Sequence, residues 1–341
     1  MHLILGILVA VIMFVIMVAV HEGGHFFAAK AVGVKVNEFA IGMGPLISSR
    51  EKNGTLYSLR AIPVGGYCAL EGESEESDDE HAFHNRPAWA RILVLAAGPF
   101  MNYVLAVLIL ALLITYTGTS IMPVLASVEK DSPAYRAGLR EGCTITEVDG
   151  RSVPDGADVY KAVQSAAESG DSVTITFEDG EGHSSTEKIM FIEDENGYRY
   201  IGIRFRARHN ILEGAKNAVV SSVVMEKEML SALGKLLVGQ GSPDDVVGPV
   251  GLVSVVDQTA QAGLLNVLYL MALLSLNLGL VNILPFPALD GGRLLFVLIR
   301  AVTGHMITDE MENRIHFAGL MILFSLMILI TMKDINSFIL N

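Results

Sequence analysis

Charge is what this 341-residue chain has least of. Only 18% of its residues are Asp, Glu, Lys or Arg, against 51% hydrophobic, and its mean hydropathy is +0.47. That is too apolar for an ordinary water-soluble domain and points to the membrane class. Positive charge is the scarcer sign: 24 Lys and Arg face 37 Asp and Glu, a formal net charge of −13. The balance argues against a nucleic-acid partner, which calls for a basic face. Cysteine is nearly absent, with only Cys68 and Cys143. Residues 2–20 hold no Lys or Arg, so the apolar start lacks the basic beginning of a signal peptide and reads as a retained span.

What is there, instead, is hydrocarbon in long runs. Four stretches read as spans: 3–20, 92–118, 264–286 and 317–332. Lys and Arg concentrate in the segments 21–91 and 287–316, which places both on the cytoplasmic side and 119–263 outside. On that topology Cys68 and Cys143 lie on opposite sides and should not pair. The acidic cluster "EGESEESDDE" (71–80) reads as a solvated, mobile loop.

The 119–263 stretch leaves membrane composition behind. Short β-rich runs surround one helical stretch, with Asp-Gly turn signals at 149–150 and 179–180. Ser132-Pro133-Ala134, Ala137-Gly138-Leu139, Gly142, Ile145 and Val148-Asp149-Gly150 recur in the order of a PDZ domain, which the stretch resembles. PDZ domains bind peptides by adding a strand to a sheet edge. "YIGI" (200–203), with Gly202, is either their peptide-binding loop in permuted position or a core strand. Residues 212–237 form an amphipathic helix, for packing on the PDZ domain or lying on the membrane surface. "GPVGL" (248–252) reads as a short re-entry into the interface.

The chemistry sits in the first run. His21-Glu22-x-x-His25 fits H-E-x-x-H: on a helix, i and i+4 share a face, so both imidazoles reach one metal. Glu22 lies beside that face. Zinc suits two imidazoles, one further ligand and an open position, and lowers the pKa of a bound water whose proton a nearby carboxylate can take. Ionisable groups at that depth are costly and normally functional. Gly23 and Gly24 weaken the helix but permit close approach of another span, expected to be the one bearing Asn282 and Asp290. Asp290 suits as third ligand: Pro285 and Pro287 break the helix before it, and Gly291-Gly292 permit tight backbone approach. Such irregular backbone is tolerated at membrane depth where it lines a cavity. His81 and His84 fit an interface position better than a second metal site. "NG" at 53–54 signals a hairpin within 34–70, for which Gly65-Gly66-Tyr67 is a further candidate closing turn.

These motifs, with "AGPFMN" (97–102) and "NILPFPALDGG" (282–292), resemble in kind and order the site-2 protease family of intramembrane zinc metalloproteases (peptidase family M50), in its bacterial PDZ-containing branch. One departure is length, since two residues separate Asn282 from Pro285. The resemblance spans nearly the whole chain. It implies His21, His25 and Asp290 as ligands of Zn2+ and Glu22 as general base. Asn277, Asn282, Pro285 and Pro287 would be substrate-binding, with Gly202 in the PDZ domain. A helix–helix hydrogen bond is the alternative for Asn277, and packing the alternative for Asn102. The implied substrates are transmembrane segments of single-span proteins, anti-sigma factors or signal-peptide-like remnants, in a bacterial inner membrane. The fold class expected is a multi-pass α-helical membrane protein of about four transmembrane helices, with a membrane-associated β-hairpin loop and an inserted extracytoplasmic PDZ domain. Its parts are 1–118, 119–207, 208–262 and 263–341. A transporter with a regulatory PDZ domain and an inactive peptide-binding relative are the rivals, opposed by the complete ligand set.

Overall fold

The computed structural model describes residues 2–73, 77–195, 197–241, 247–304 and 308–340, in two compact units, 1–110 with 218–341 and 111–217. The first unit opens with α1 (His2–Ala31), an unbroken helix with no proline and no acidic residue in its first turn. It carries the metal motif inside its body. Next comes a hairpin of β1 (Val36–Lys52) and β2 (Thr55–Leu70). Its turn is Asn53-Gly54, both at positive φ (52° and 72°), the pairing a two-residue turn of right-handed twist requires.

Gly65-Gly66-Tyr67 is not a turn, contrary to expectation. It lies within β2, where Gly65 (φ 88°) absorbs a register shift and an added Cβ on Gly66 would stand 2.8 Å from the Ala40 carbonyl. A bulge and a turn draw on the same freedom of glycine. The hairpin bends back on itself, so that 38–41 is flanked by 66–69 on one side and by 56–59 on the other. The end of β2 is thereby an outer edge of the small sheet.

Helix α2 (Ala88–Thr117) follows, with Pro99 in its interior. The second unit takes in the end of α2 and holds β3 (Ser120–Val128), α3 (Pro133–Arg136), β4 (Thr144–Val148), β5 (Arg151–Ser152), α4 (Gly156–Ser169), β6 (Ser172–Glu178), β7 (Ser184–Met190), β8 (Ile192–Glu193), β9 (Arg199–Tyr200) and β10 (Ile203–Arg208). The main sheet runs β10-β3-β4-β6-β7, with β5 paired to β4. Ser132 and Asp155 cap α3 and α4 by accepting from the Tyr135 and Asp158 amides. Leu125, Leu139, Ile145, Val159, Ile175 and Ile201 form its core. The expected helical stretch is α4, and the short α3 over Pro133–Arg136 is a second helix beyond the one expected. The second unit closes with the start of α5 (Ile211–Leu237), whose remainder belongs to the first unit.

The first unit resumes with α6 (Pro249–Gln261), α7 (Leu264–Ile283), α8 (Asp290–Thr303) and α9 (Asp309–Leu340). "GPVGL" is the start of α6, with Gly248 at its N-cap, and α6 packs on α1. Among the described residues, four helices are long and apolar enough to cross a membrane: 5–31, 88–117, 264–283 and 310–336. Neither cysteine is in a disulfide. The ends of the acidic cluster are tied down: Glu71 accepts from Asn37 and Ser77, Asp79 pairs with Lys35 at 2.9 Å, and Glu73 pairs with Arg293. Its middle, 74–76, lies outside the described residues.

Candidate active site

The helical repeat of α1 puts His21 and His25 on one face, both buried, with their Nε2 atoms 3.3 Å apart. The chain brings Asp290 to them by stopping α7 at Ile283 and restarting as α8 at Asp290. Between the two helices, Pro285 and Pro287 withhold amides that a continuous helix needs. Ala288 turns the chain at φ 77°, a left-handed conformation that costs an L-residue roughly 1–2 kcal/mol. Gly291 and Gly292 then fold back on the turn: an added Cβ would stand 2.2 Å from the Ile283 carbonyl oxygen and 2.3 Å from that of Phe286. Asp290 Oδ2 ends 3.1 Å from His21 Nε2 and 3.4 Å from His25 Nε2.

The tautomers follow from the outer contacts. His25 Nδ1 donates to the Val94 carbonyl at 2.8 Å, which leaves Nε2 a lone pair. Asn102, wholly buried on α2, places its amide 3.1 Å from His21 Nδ1, while its Oδ1 has no partner. With the oxygen turned to the ring, Asn102 accepts from Nδ1–H and His21 Nε2 is likewise a lone pair. Asp290 Oδ2 is buried and accepts no hydrogen bond. Three lone-pair donors therefore meet with nothing of opposite charge between them. Tetrahedral zinc with bonds of about 2.0–2.1 Å sets its donors about 3.3–3.4 Å apart. The triangle here has sides of 3.1, 3.3 and 3.4 Å, so the residues fit the ion. Among the described residues they are the one trio that could hold a metal. His81 faces Asp79, and His84 Nδ1 lies 3.0 Å from the Gly72 carbonyl oxygen, so neither adds to such a cluster.

The glycines act between other helices than expected. A Cβ on Gly24 would lie 2.4 Å from the Ala97 carbonyl oxygen, so Gly24 admits α2 and not the span bearing Asn282. Gly98 replies from α2, where a Cβ would stand 2.2 Å from His25 Nε2. Around Gly23 the nearest atom is Phe27 Cε2 at 3.9 Å.

A cavity of about 390 Å³ opens on the trio, lined by Glu22, His25, Asp290 and Arg293 and by 67–70 at the edge of β2. The Cys68 thiol on its wall is no rival nucleophile: burial, with the Glu22 charge beside it, pushes it up to about 12. Asn277 is exposed on α7 with no hydrogen bond among the described residues, Asn282 is half-buried, and neither they nor Pro285 and Pro287 line this cavity. Gly202 (φ 83°) packs on Ser132 and lines a separate cavity of about 350 Å³ with Glu129, Tyr200 and Arg204. Ile201 beside it is core, so "YIGI" is both wall and core.

A family model for peptidase family M50 matches residues 9–326. The chain belongs to that family. A Clostridium acetobutylicum protein whose name marks it as a candidate zinc metalloprotease is 33% identical, over 97% of each chain. The regulator of sigma-W protease RasP of Bacillus subtilis is 31% identical, over 96% of this chain and 97% of its own. A solved PDZ domain of an SdrC-like protein from Listeria monocytogenes is 29% identical, covering 24% of this chain and 84% of that one, with a TM-score of 0.22. As an M50 peptidase the chain is a zinc metalloendopeptidase of the site-2 protease type, a membrane protein with a PDZ domain.

Proposed function

We propose that this peptidase cleaves transmembrane segments of single-span membrane proteins, with zinc held by His21, His25 and Asp290 and with Glu22 as general base. The observation that carries the reading is the triangle of donors at 3.1, 3.3 and 3.4 Å, open on one side to a cavity lined by Glu22. Bound zinc supplies Lewis acidity, making water acidic enough to give up a proton and polarising the scissile carbonyl. Glu22 takes the proton from the attacking water and passes it to the departing amide nitrogen. His25 and His21 keep their orientation through the Val94 carbonyl and Asn102.

From Leu5 to His21 the helix rises about 24 Å, sixteen residues at 1.5 Å each, so the site falls within a hydrocarbon core about 30 Å thick, towards its far face. Lys and Arg in 21–91 make that face cytoplasmic and the PDZ domain extracytoplasmic. A substrate helix must open before its carbonyls can be reached. The 67–70 edge of β2 beside Glu22 offers an extended strand its backbone partners. Asn277 and Asn282, on α7, and Pro285 and Pro287, in the turn before Asp290, are the further substrate-binding residues of this reading, although they lie outside the cavity lining. At the PDZ edge, β10 and Gly202 receive the trimmed end of a substrate. Similarity to a protease named for sigma-W regulation favours anti-sigma factors as substrates, with signal-peptide remnants as the second class.

The test uses full-length protein in detergent. Wild type should carry stoichiometric zinc, Asp290→Ala should lose it, and Glu22→Gln should keep it while cutting a model span about 10²–10⁴ times more slowly. Zinc-free wild type, or a Gln variant that cuts normally, overturns the assignment.

A further inference from the structure

The turn that delivers Asp290 is fastened from outside itself. Phe286 and Leu289 amides bond within it, to the Leu284 and Phe286 carbonyls. Ala288, two residues before Asp290 and held at φ 77°, instead donates its amide to His316 Nδ1 of α9 at 2.8 Å. Accepting at Nδ1 leaves the ring proton on Nε2, which is 3.7 Å from Glu312 Oε1, beyond hydrogen-bond reach. Glu312 is itself paired with Arg300 of α8 at 2.8 Å. Phe296, also of α8, meets the ring edge-on with centroids 5.4 Å apart. One turn along α9, buried Gly319 lets the backbone in: an added Cβ would stand 2.5 Å from Pro287 Cβ and 2.6 Å from its carbonyl oxygen.

We propose that His316 is a positioning residue for the metal centre. It holds Ala288 in a conformation that an L-residue resists, and so sets where Asp290 begins α8 and where Oδ2 points. Nothing in the H-E-x-x-H or Leu-Asp-Gly-Gly stretches encodes this contact. The proposal rests on Asp290 being a zinc ligand, as argued above, whereas the fastening of the turn does not depend on metal.

Two variants separate a hydrogen-bonding role from a packing one. Asn places Oδ1 where His316 has Nδ1, and Leu fills the space without an acceptor. Zinc affinity of full-length protein is read by competition with a chromophoric chelator. Amide hydrogen exchange of 284–292 is read on metal-free protein. His316→Leu should weaken zinc about tenfold or more, as loss of a ligand-orienting partner does, and should speed exchange across the turn. His316→Asn should stay within about threefold of wild type in affinity and keep its protection. The proposal fails if His316→Leu leaves exchange unchanged, or if His316→Asn loses zinc as badly as His316→Leu. A wild type that binds no zinc would instead overturn the metal assignment, with the exchange comparison still deciding whether His316 fastens the turn.

Discussion

Asn102 stands 3.1 Å from His21 Nδ1, wholly buried, and its own backbone carbonyl accepts from Ser275 at 2.8 Å. One residue of α2 thus joins the metal helix α1 to α7. Removing a partner that orients a metal-binding imidazole commonly lowers affinity 10–100-fold. Asn102→Ala should do so in a chelator competition, and Asn102→Asp, which still accepts from Nδ1–H, should recover most of it. Equal affinity in wild type and Asn102→Ala would reduce Asn102 to packing.

Three glycines should behave differently although two are adjacent. Gly98→Ala drives a methyl group to within 2.2 Å of His25 Nε2 and should abolish stoichiometric zinc, measured by metal analysis. Gly24→Leu collides with α2 and should lower both zinc content and thermal stability. Gly23→Ala meets only the Phe27 ring, at an ordinary contact distance of 3.9 Å, so it should bind zinc normally and gain up to about 1 kcal/mol of helix stability. A Gly98→Ala protein with full zinc would disprove the close approach of α2.

The hairpin carries an acid-labile contact. Glu38 takes bonds from Ser58 at 2.5 Å and Arg60 at 2.7 Å. Burial alone raises its carboxyl, but the bonds from Ser58 and Arg60 outweigh that and hold it below the ordinary 4.5. A depressed folded value means that the contribution is present above the unfolded value and is lost as pH falls through the folded one. Exchange protection of 36–70 should therefore drop below about pH 4.5 in wild type, and Glu38→Gln should flatten that dependence. An acid response of equal size in Glu38→Gln would place its origin elsewhere.

The candidate site is legible where one element carries the pattern. His21 and His25 need only the helical repeat, and the Asn53-Gly54 turn needs only two positive φ angles. Asp290 was legible because prolines and glycines announce a break at membrane depth. What depends on the neighbour of a helix was not legible. Small residues at Gly24 declare that something comes close, but not that it is Ala97 of α2. Asn102 reads from the sequence as either packing or function, since its partner lies 81 residues away in sequence. His316 left no local trace, because what it binds is a backbone amide that any residue but proline provides. Gly65-Gly66 reads as a turn and is a bulge, because glycine serves both alike.

The last helix invites a mechanical comparison. Only 6% of the most apolar window of α9 is buried, the least of the four spans. Near one end, His316 and Gly319 hold the Ala288 turn; near the other, Asp334 accepts from the Gly248 and Gly251 amides at the start of α6, at 3.4 and 2.8 Å. Such a helix is a strut bolted at both ends. Between the bolts it answers mainly to lipid, so its middle can drift freely among apolar residues, whereas a one-residue deletion there would rotate one bolt about 100° away from its socket.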